Sequence, residues 1–191
     1  SLSILANHSD SHIEQVKPIE VIRCDSEYKN QTNLGEANKI VEILDNVWRN
    51  NTTRPTIGVA TFNAKQSELI YEQLSLKAQN DEDFRKARDE EDVRNDNGED
   101  VSFFVKNVEN IQGDERDWII FSTTFGQDSY GTFRRNFGKL GHIGGERRLN
   151  VAVTRAKQKI IFVTSMPFDK ISNYMNAHRA PNVPRDFIQA Y

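Results

Sequence analysis

Apolar positions along the chain follow two different rhythms. Five short stretches are almost continuously apolar or rich in β-branched and aromatic residues: "IEVIRC" (19–24), "TIGVATF" (56–62), "SFFVKNV" (102–108), "DWIIFSTTF" (117–125) and "KIIFVTS" (159–165). Such runs predict strands, and the lack of polar alternation predicts strands buried on both faces. Elsewhere the spacing is helical. Ala37, Ile40, Val41, Leu44, Val47 and Trp48 recur on one face, with Thr32 or Asn33 placed to cap the helix and Glu36 in its first turn. Asn63 precedes a second helix containing Gln66, Leu69, Ile70 and Leu74, and Leu149, Ala152, Val153 and Ala156 mark a short third one. Strands alternating with helices predict an α/β fold: a mostly parallel central sheet covered on both faces, three layers in all.

The punctuation divides the chain. Residues 126–145 hold six of the ten glycines and read as a long surface loop. No internal repeat is present, and 191 residues suit one domain, 1–191, with its core over 19–165, an acidic insertion over 77–101 and a tail over 168–191. The longest apolar runs are strand-sized, so no membrane span is expected. The first residues show no signal peptide, and a lone cysteine, Cys24, forms no internal disulfide; both point to a cytoplasmic setting.

Net charge changes the picture only once it is mapped. The chain carries −3, but residues 81–100 alone contribute −6, leaving the remainder at +3. A solvated acidic face therefore masks a mildly basic surface.

In parallel sheets ligands bind beyond the carboxyl ends of the strands. That directs attention to the turn after "GVATF", to "NVENIQGDERD" and to "GGERRLNVAVTRA". If the last is helical throughout, Arg148 and Arg155, seven positions apart, differ by about 20° around the axis and border the apolar stripe together. Two readings of these arginines stand: phosphate recognition, for which a rigidly held guanidinium fork is suited, or ion pairs with surface carboxylates such as Glu146. The glycine-rich loop also carries Tyr130, Phe133, Arg134, Arg135, Phe137, Lys139 and His142. Cations interleaved with aromatics suit single-stranded nucleic acid; equally, the aromatics can pack on their own domain. His8 and His12 stand four apart without nearby cysteines, so no metal site is expected, and no Ser-His-Asp set has a favourable context.

Three of these stretches carry a resemblance. "RRLNVAVTRAKQKIIFV" resembles motif VI of superfamily 1 helicases, in the group that includes the RNA helicase of nonsense-mediated decay and large bacterial predicted helicases of that type. "NVENIQGDERDWIIFS" is similar to motif V, "IGVATFNAKQSELI" to motif IV, and "NLGEANKIVEIL" to the helix preceding motif IV, so the match covers roughly 33–165 in the family's order. The chain departs from the pattern at Asn107 and Glu109, where the family often has threonine and aspartate, and at Phe62, which stands at the aromatic position of motif IV.

The resemblance implies the second RecA-like domain of a two-domain ATP-driven motor. Arg155 would be the arginine finger. Gly113, Glu115 and Gln112 would approach the nucleotide, Glu115 accepting from ribose hydroxyls, and Arg148 would make a phosphate or interdomain contact. Thr61, Asn63 and Asn107, with Arg134 and Arg135, would meet nucleic acid, DNA or alternatively RNA. The chain lacks its own phosphate loop, since no G-x-x-x-x-G-K-[ST] occurs in it. ATP and Mg²⁺ would accordingly be shared with a first RecA-like domain, and this chain alone is expected not to hydrolyse ATP. The other class of function compatible with the sequence is a non-hydrolysing module of the same fold that docks or binds nucleic acid.

Overall fold

In a computed structural model the chain is described over residues 17–50, 53–134 and 137–167, with the Lys139 side chain excepted. Chain order is β1 (Ile19–Arg23), β2 (Tyr28–Lys29), β3 (Thr32–Asn33), α1 (Leu34–Asn50), β4 (Ile57–Thr61), α2 (Ala64–Asn80), α3 (Glu82–Asp92), β5 (Asn95–Asp96), β6 (Glu99–Asp100), β7 (Phe104–Asn107), β8 (Arg116–Ser122), a 3-10 turn (Gly138–Gly141), α4 (Gly145–Val153) and β9 (Ala156–Thr164). Five strands form one sheet in the order β1-β9-β8-β4-β7, every pairing parallel. The two remaining pairs, β2 with β3 and β5 with β6, are short antiparallel hairpins.

The middle of the sheet is covered on both faces, as expected for strands without alternation, whereas the edge strand β1 alternates and leaves Ile19 and Val21 exposed on one side. On one face α1, α2 and α3 bury Ile40, Leu44, Ile70, Leu74 and Phe84 against Val59, Ile120 and Ile161. Trp48 anchors that layer, its ring 5.4 Å from Phe84 and 5.2 Å edge-on to Phe103. On the other face α4, the 3-10 turn and the loop before it bury Leu149, Ala152, Leu140 and Phe137 against Ile119, Phe121 and Ile160. The acidic stretch comprises α3, capped by the Asp81 side chain, and the exposed β5–β6 hairpin after it; the inner side of α3 buries Phe84, Ala87 and Glu91. Asp81 also joins Arg49 and Lys77 in an ion cluster, and the Lys77 ammonium, first among these partners, holds its carboxyl well below the usual range.

The caps fall where the polar residues predict. Asn33 Oδ1 accepts from Glu36 N at 3.0 Å and Asn63 Oδ1 from Gln66 N at 2.9 Å, each satisfying an otherwise orphaned donor. One expectation fails. The third helix stops at Val153, because Ala156 already pairs with Arg116 in the sheet; Arg155 thus lies in a two-residue turn, off the helical line of Arg148.

Candidate nucleotide and nucleic-acid surfaces

The carboxyl ends of the five strands are tied into one edge by backbone bonds that continue past the strands. Val108 N donates to Thr61 O (2.9 Å), Phe62 N to Ser122 O (3.3 Å), Thr123 N to Val163 O (3.1 Å) and Cys24 N to Thr164 O (2.8 Å). At this edge Asn63 and Asn107 stand close, lining with Phe62, Leu140 and Arg148 a shallow cavity of about 330 Å³. Asn107 Oδ1 accepts from Glu109 N at 3.3 Å. Thr61 lies beneath them, fully buried, its hydroxyl donating to Asn63 O at 2.7 Å. Its side chain steadies the β4 exit instead of facing solvent.

From Asn107 the chain crosses the sheet face to the opposite edge beside α4. The groove between the two, about 270 Å³, is lined by Glu109, Gln112, Arg147, Arg148 and Val151. Arg148 Nε lies 3.7 Å from Glu109 Oε1, so its carboxylate partner is Glu109. Gly113 turns the crossing back into β8 at φ +92°, with no atom within 4 Å of the position a Cβ would take. A side chain there would have room but the wrong backbone geometry. Asp114 pairs with Lys106 at 2.8 Å.

Glu115 and Arg155 meet at the far end. Each immediately precedes a strand, β8 and β9 respectively, so they sit at the amino edge of the sheet and not at the carboxyl edge where the general rule for parallel sheets points. Arg155 donates from Nε to Val151 O at 3.2 Å, and its Nη1 lies 3.5 Å from Glu115 Oε1. Both backbones are clamped by Arg116: its N donates to Arg155 O at 3.1 Å, and its guanidinium donates to Glu115 O at 2.8 Å and Ser102 O at 2.9 Å. Arg116 is 5% exposed and lies 5.1 Å over the Phe104 ring, and burial pulls its pKa down. The Phe104 ring in turn fills the space that a side chain at Gly58 would need, 2.2 Å from its ideal Cβ. The chain thus fixes the positions of Glu115 and Arg155 through a buried cation that sequence reasoning passed over.

A second missed centre lies under the carboxyl edge. Glu36 is wholly buried, and its carboxylate accepts from Ser122 Oγ (2.6 Å), Thr124 N (2.7 Å), Ser165 N (2.7 Å) and Thr123 Oγ1 (3.2 Å). Burial pushes the carboxyl up to about 7, against the pull of these bonds. Gln66, also buried, spans the same region: Nε2 donates to Asn33 O and Ser122 Oγ, and Oε1 accepts from Asn33 N. The signal for Glu36 was its place four residues before Ile40 on the apolar face of α1.

Thr124, next to this carboxylate, has φ +69° and a fully buried side chain, while Asn30, Gln31 and Asn97, the other described non-glycine residues with positive φ, are exposed. Phe125 N donates to Thr123 O at 2.7 Å, closing a γ-turn centred on Thr124. A β-branched residue in that region costs of order 1–3 kcal/mol. The Thr124 Oγ1 and Ser165 Oγ atoms are both buried with no hydrogen-bond partner.

The loop that follows divides its aromatics. Phe137 is buried against Phe125 (5.4 Å) and Phe133 (6.1 Å), whereas Tyr130, 90% exposed, and Arg134 face solvent. Arg135, the Lys139 side chain, His8, His12 and the tail from 168 lie outside the described residues. Among the described residues no three His, Cys, Asp or Glu side chains converge as metal ligands, and no helix is long and apolar enough to cross a membrane.

An all-parallel sheet between two layers, with a loop and a helix crossing one face to join two polar corners, is a RecA-like α/β domain. The sequence profile of the AAA domain family matches residues 6–167, and the chain belongs to that family. An uncharacterized ATP-dependent helicase of Mycoplasma genitalium is 41% identical over 136 residues, covering 71% of this chain and 11% of that protein. Its Mycoplasma pneumoniae homolog is 40% identical over 146 residues, covering 76% and 12%. The chain therefore matches only about an eighth or less of the length of these relatives. Among solved structures, that of T. fusca Cas3-ADP aligns over 92% of this chain and 20% of its own, at 13% identity and a TM-score of 0.42.

Proposed function

We propose that the chain is the second motor domain of an ATP-dependent helicase or translocase, contributing one wall of a shared ATP site and part of a track for single-stranded nucleic acid. The observation that carries this reading is the corner at which Arg155 and Glu115 meet, 3.5 Å apart and held from behind by Arg116. The stretches that resemble motifs V and VI supply one residue each to that corner, 40 positions apart.

The residues fit one side of a nucleotide, not the whole of it. Arg155 would meet the terminal phosphate, where a guanidinium offsets negative charge that grows during hydrolysis. Glu115 would accept from ribose hydroxyls. Gly113 and Gln112 leave the approach open, and Arg148 borders the groove leading to the other edge. The sequence has no phosphate loop, so on this reading that loop and the groups that hold Mg²⁺ would be supplied by a first RecA-like lobe. ATP, when bound between the lobes, supplies the driving force for their closure. The setting is cytoplasmic, in keeping with a lone Cys24.

Residues 1–191 alone should show no metal-dependent ATP turnover, whereas mixing them with a separately purified first lobe should restore it. Turnover by the fragment alone, at the rate of the intact protein, refutes a shared site.

The opposite edge suits nucleic acid: Asn63 and Asn107 reach its surface with Arg134 and Tyr130 on the adjoining loop, while Thr61 acts from beneath by holding Asn63. Arg135 completes the basic pair in sequence. Replacing Arg134 and Arg135 by alanine in the full-length protein should weaken binding of single-stranded DNA and reduce the slope of log affinity against log salt by roughly 1 to 2, in line with about 0.7 for each phosphate no longer neutralised. Unchanged affinity across salt removes the loop from the track.

A further inference from the structure

We infer that Thr124 is the hinge of a two-state exit turn, whose hydroxyl engages a phosphodiester of bound single-stranded nucleic acid once the turn relaxes; this rests on the track assigned above. Three observations converge on it. The backbone at Thr124 is in the left-handed region, which a β-branched residue disfavours, and the γ-turn around it is held by Phe125 N donating to Thr123 O. Its hydroxyl is buried without a partner, so the fold gains nothing from a polar atom where valine would have the same shape. Its N–H is held by one oxygen of the Glu36 carboxylate, whose other oxygen holds Ser165 N, so a single buried group pins the exits of β8 and β9 together.

Strain and an unpaired hydroxyl at one residue are sustained by the surrounding bonds, and both are relieved if the turn opens. The location decides what would open it. Thr124 follows β8 at the carboxyl edge, where Ser122 O receives Phe62 N from the β4 exit that carries Asn63. It also begins the segment leading to Tyr130 and Arg134. Rotation of Thr124 to negative φ would redirect that segment and turn the hydroxyl outward toward the same edge, where phosphate oxygens accept from side-chain hydroxyls. Nucleic acid would thus bind the relaxed form better, and the difference in affinity is what shifts the population.

Three variants of the full-length protein test this, each measured by anisotropy of a fluorescein-labelled oligothymidylate and by thermal unfolding. Thr124→Val keeps the shape and removes the hydroxyl; it should bind about tenfold more weakly, the equivalent of about 1.4 kcal/mol, with an unfolding midpoint at or above that of the native protein. Thr124→Gly tolerates positive φ and so favours the resting turn; it too should bind more weakly, with no loss of midpoint. Thr124→Ser retains the hydroxyl and should bind within about twofold of native. Native affinity in both the Val and Gly variants overturns the inference, as does a Ser variant as weak as Val. If the native protein itself fails to bind the oligonucleotide, the assignment of the track falls instead.

Discussion

Replacing Arg155 by alanine in the full-length protein is expected to lower ATP turnover by about 10³-fold or more, with nucleotide affinity changed by only a few fold. The split follows from where the guanidinium acts. A group that offsets charge growing on the terminal phosphate contributes little to binding the ground state and much to the rate. Loss of folding would not explain such a result, because the polar partners of the half-buried side chain are Val151 O at the end of α4 and a carboxylate that is 54% exposed. Surface pairs of this kind contribute little to stability, so the unfolding transition of the variant should match that of the native protein. Lysine at 155 keeps the charge but loses the planar fork, and should recover only a minor part of the rate. A variant that retains more than about a tenth of native turnover removes Arg155 from the chemistry.

The sheet and its helices were legible because their signals are local. Runs such as "IIFS" and "GVATF" have no polar alternation and read as buried strands, and Asn33 and Asn63 declare helix starts by a hydrogen bond made within three residues. The location of Arg155 was not legible. Its neighbours Ala152 and Ala156 continue a helical rhythm, and only the parallel pairing of Ala156 with Arg116, forty residues earlier, ends the helix and turns the guanidinium toward Glu115. Long-range pairing overrode local periodicity there. The same holds for the edge at which the two residues sit: the 107–115 crossing reaches the amino ends of β8 and β9, which no short-range pattern announces.

Glu36 illustrates the converse. Its sequence position, in a helical first turn, suggests a favourable interaction with the helix dipole. Its place on the apolar face of α1 buries it, and burial gives it four partners drawn from residues 86 to 129 positions away. Arg116 is alike in kind: a cation at a strand end that no local pattern singles out, stacked on Phe104 and bonded to carbonyls. Thr124 is the third case, since nothing in "STTF" signals a positive φ. These three residues break the local rules, and all three adjoin the proposed working edges, which is where departures from local consistency are expected to concentrate.

Replacing Glu36 by alanine should be among the most destabilising single changes in the domain. It leaves Thr124 N, Ser165 N and the Ser122 hydroxyl buried without acceptors, at about 1–3 kcal/mol each, so a loss of order 4 kcal/mol is expected in urea unfolding of residues 1–191. Glutamine is the sharper probe because it keeps the shape and cannot titrate. In the unfolded chain the carboxyl has an ordinary value of 4.5, while in the fold it is raised to about 7. Between those values the folded state holds a proton that the unfolded state has released, so the contribution of Glu36 to stability falls as pH rises through this window and levels off above it. The advantage of the native protein over Glu36→Gln should therefore be greatest near and below pH 4.5 and shrink by about 3 kcal/mol by pH 7 to 8. Taking the difference between the two proteins cancels the other titrating groups, including Asp81, whose depressed pKa acts with the opposite sign. A difference that stays flat from pH 4.5 to 8 would mean that the carboxyl is ionised throughout. The hub would then be held by its hydrogen bonds strongly enough to outweigh burial.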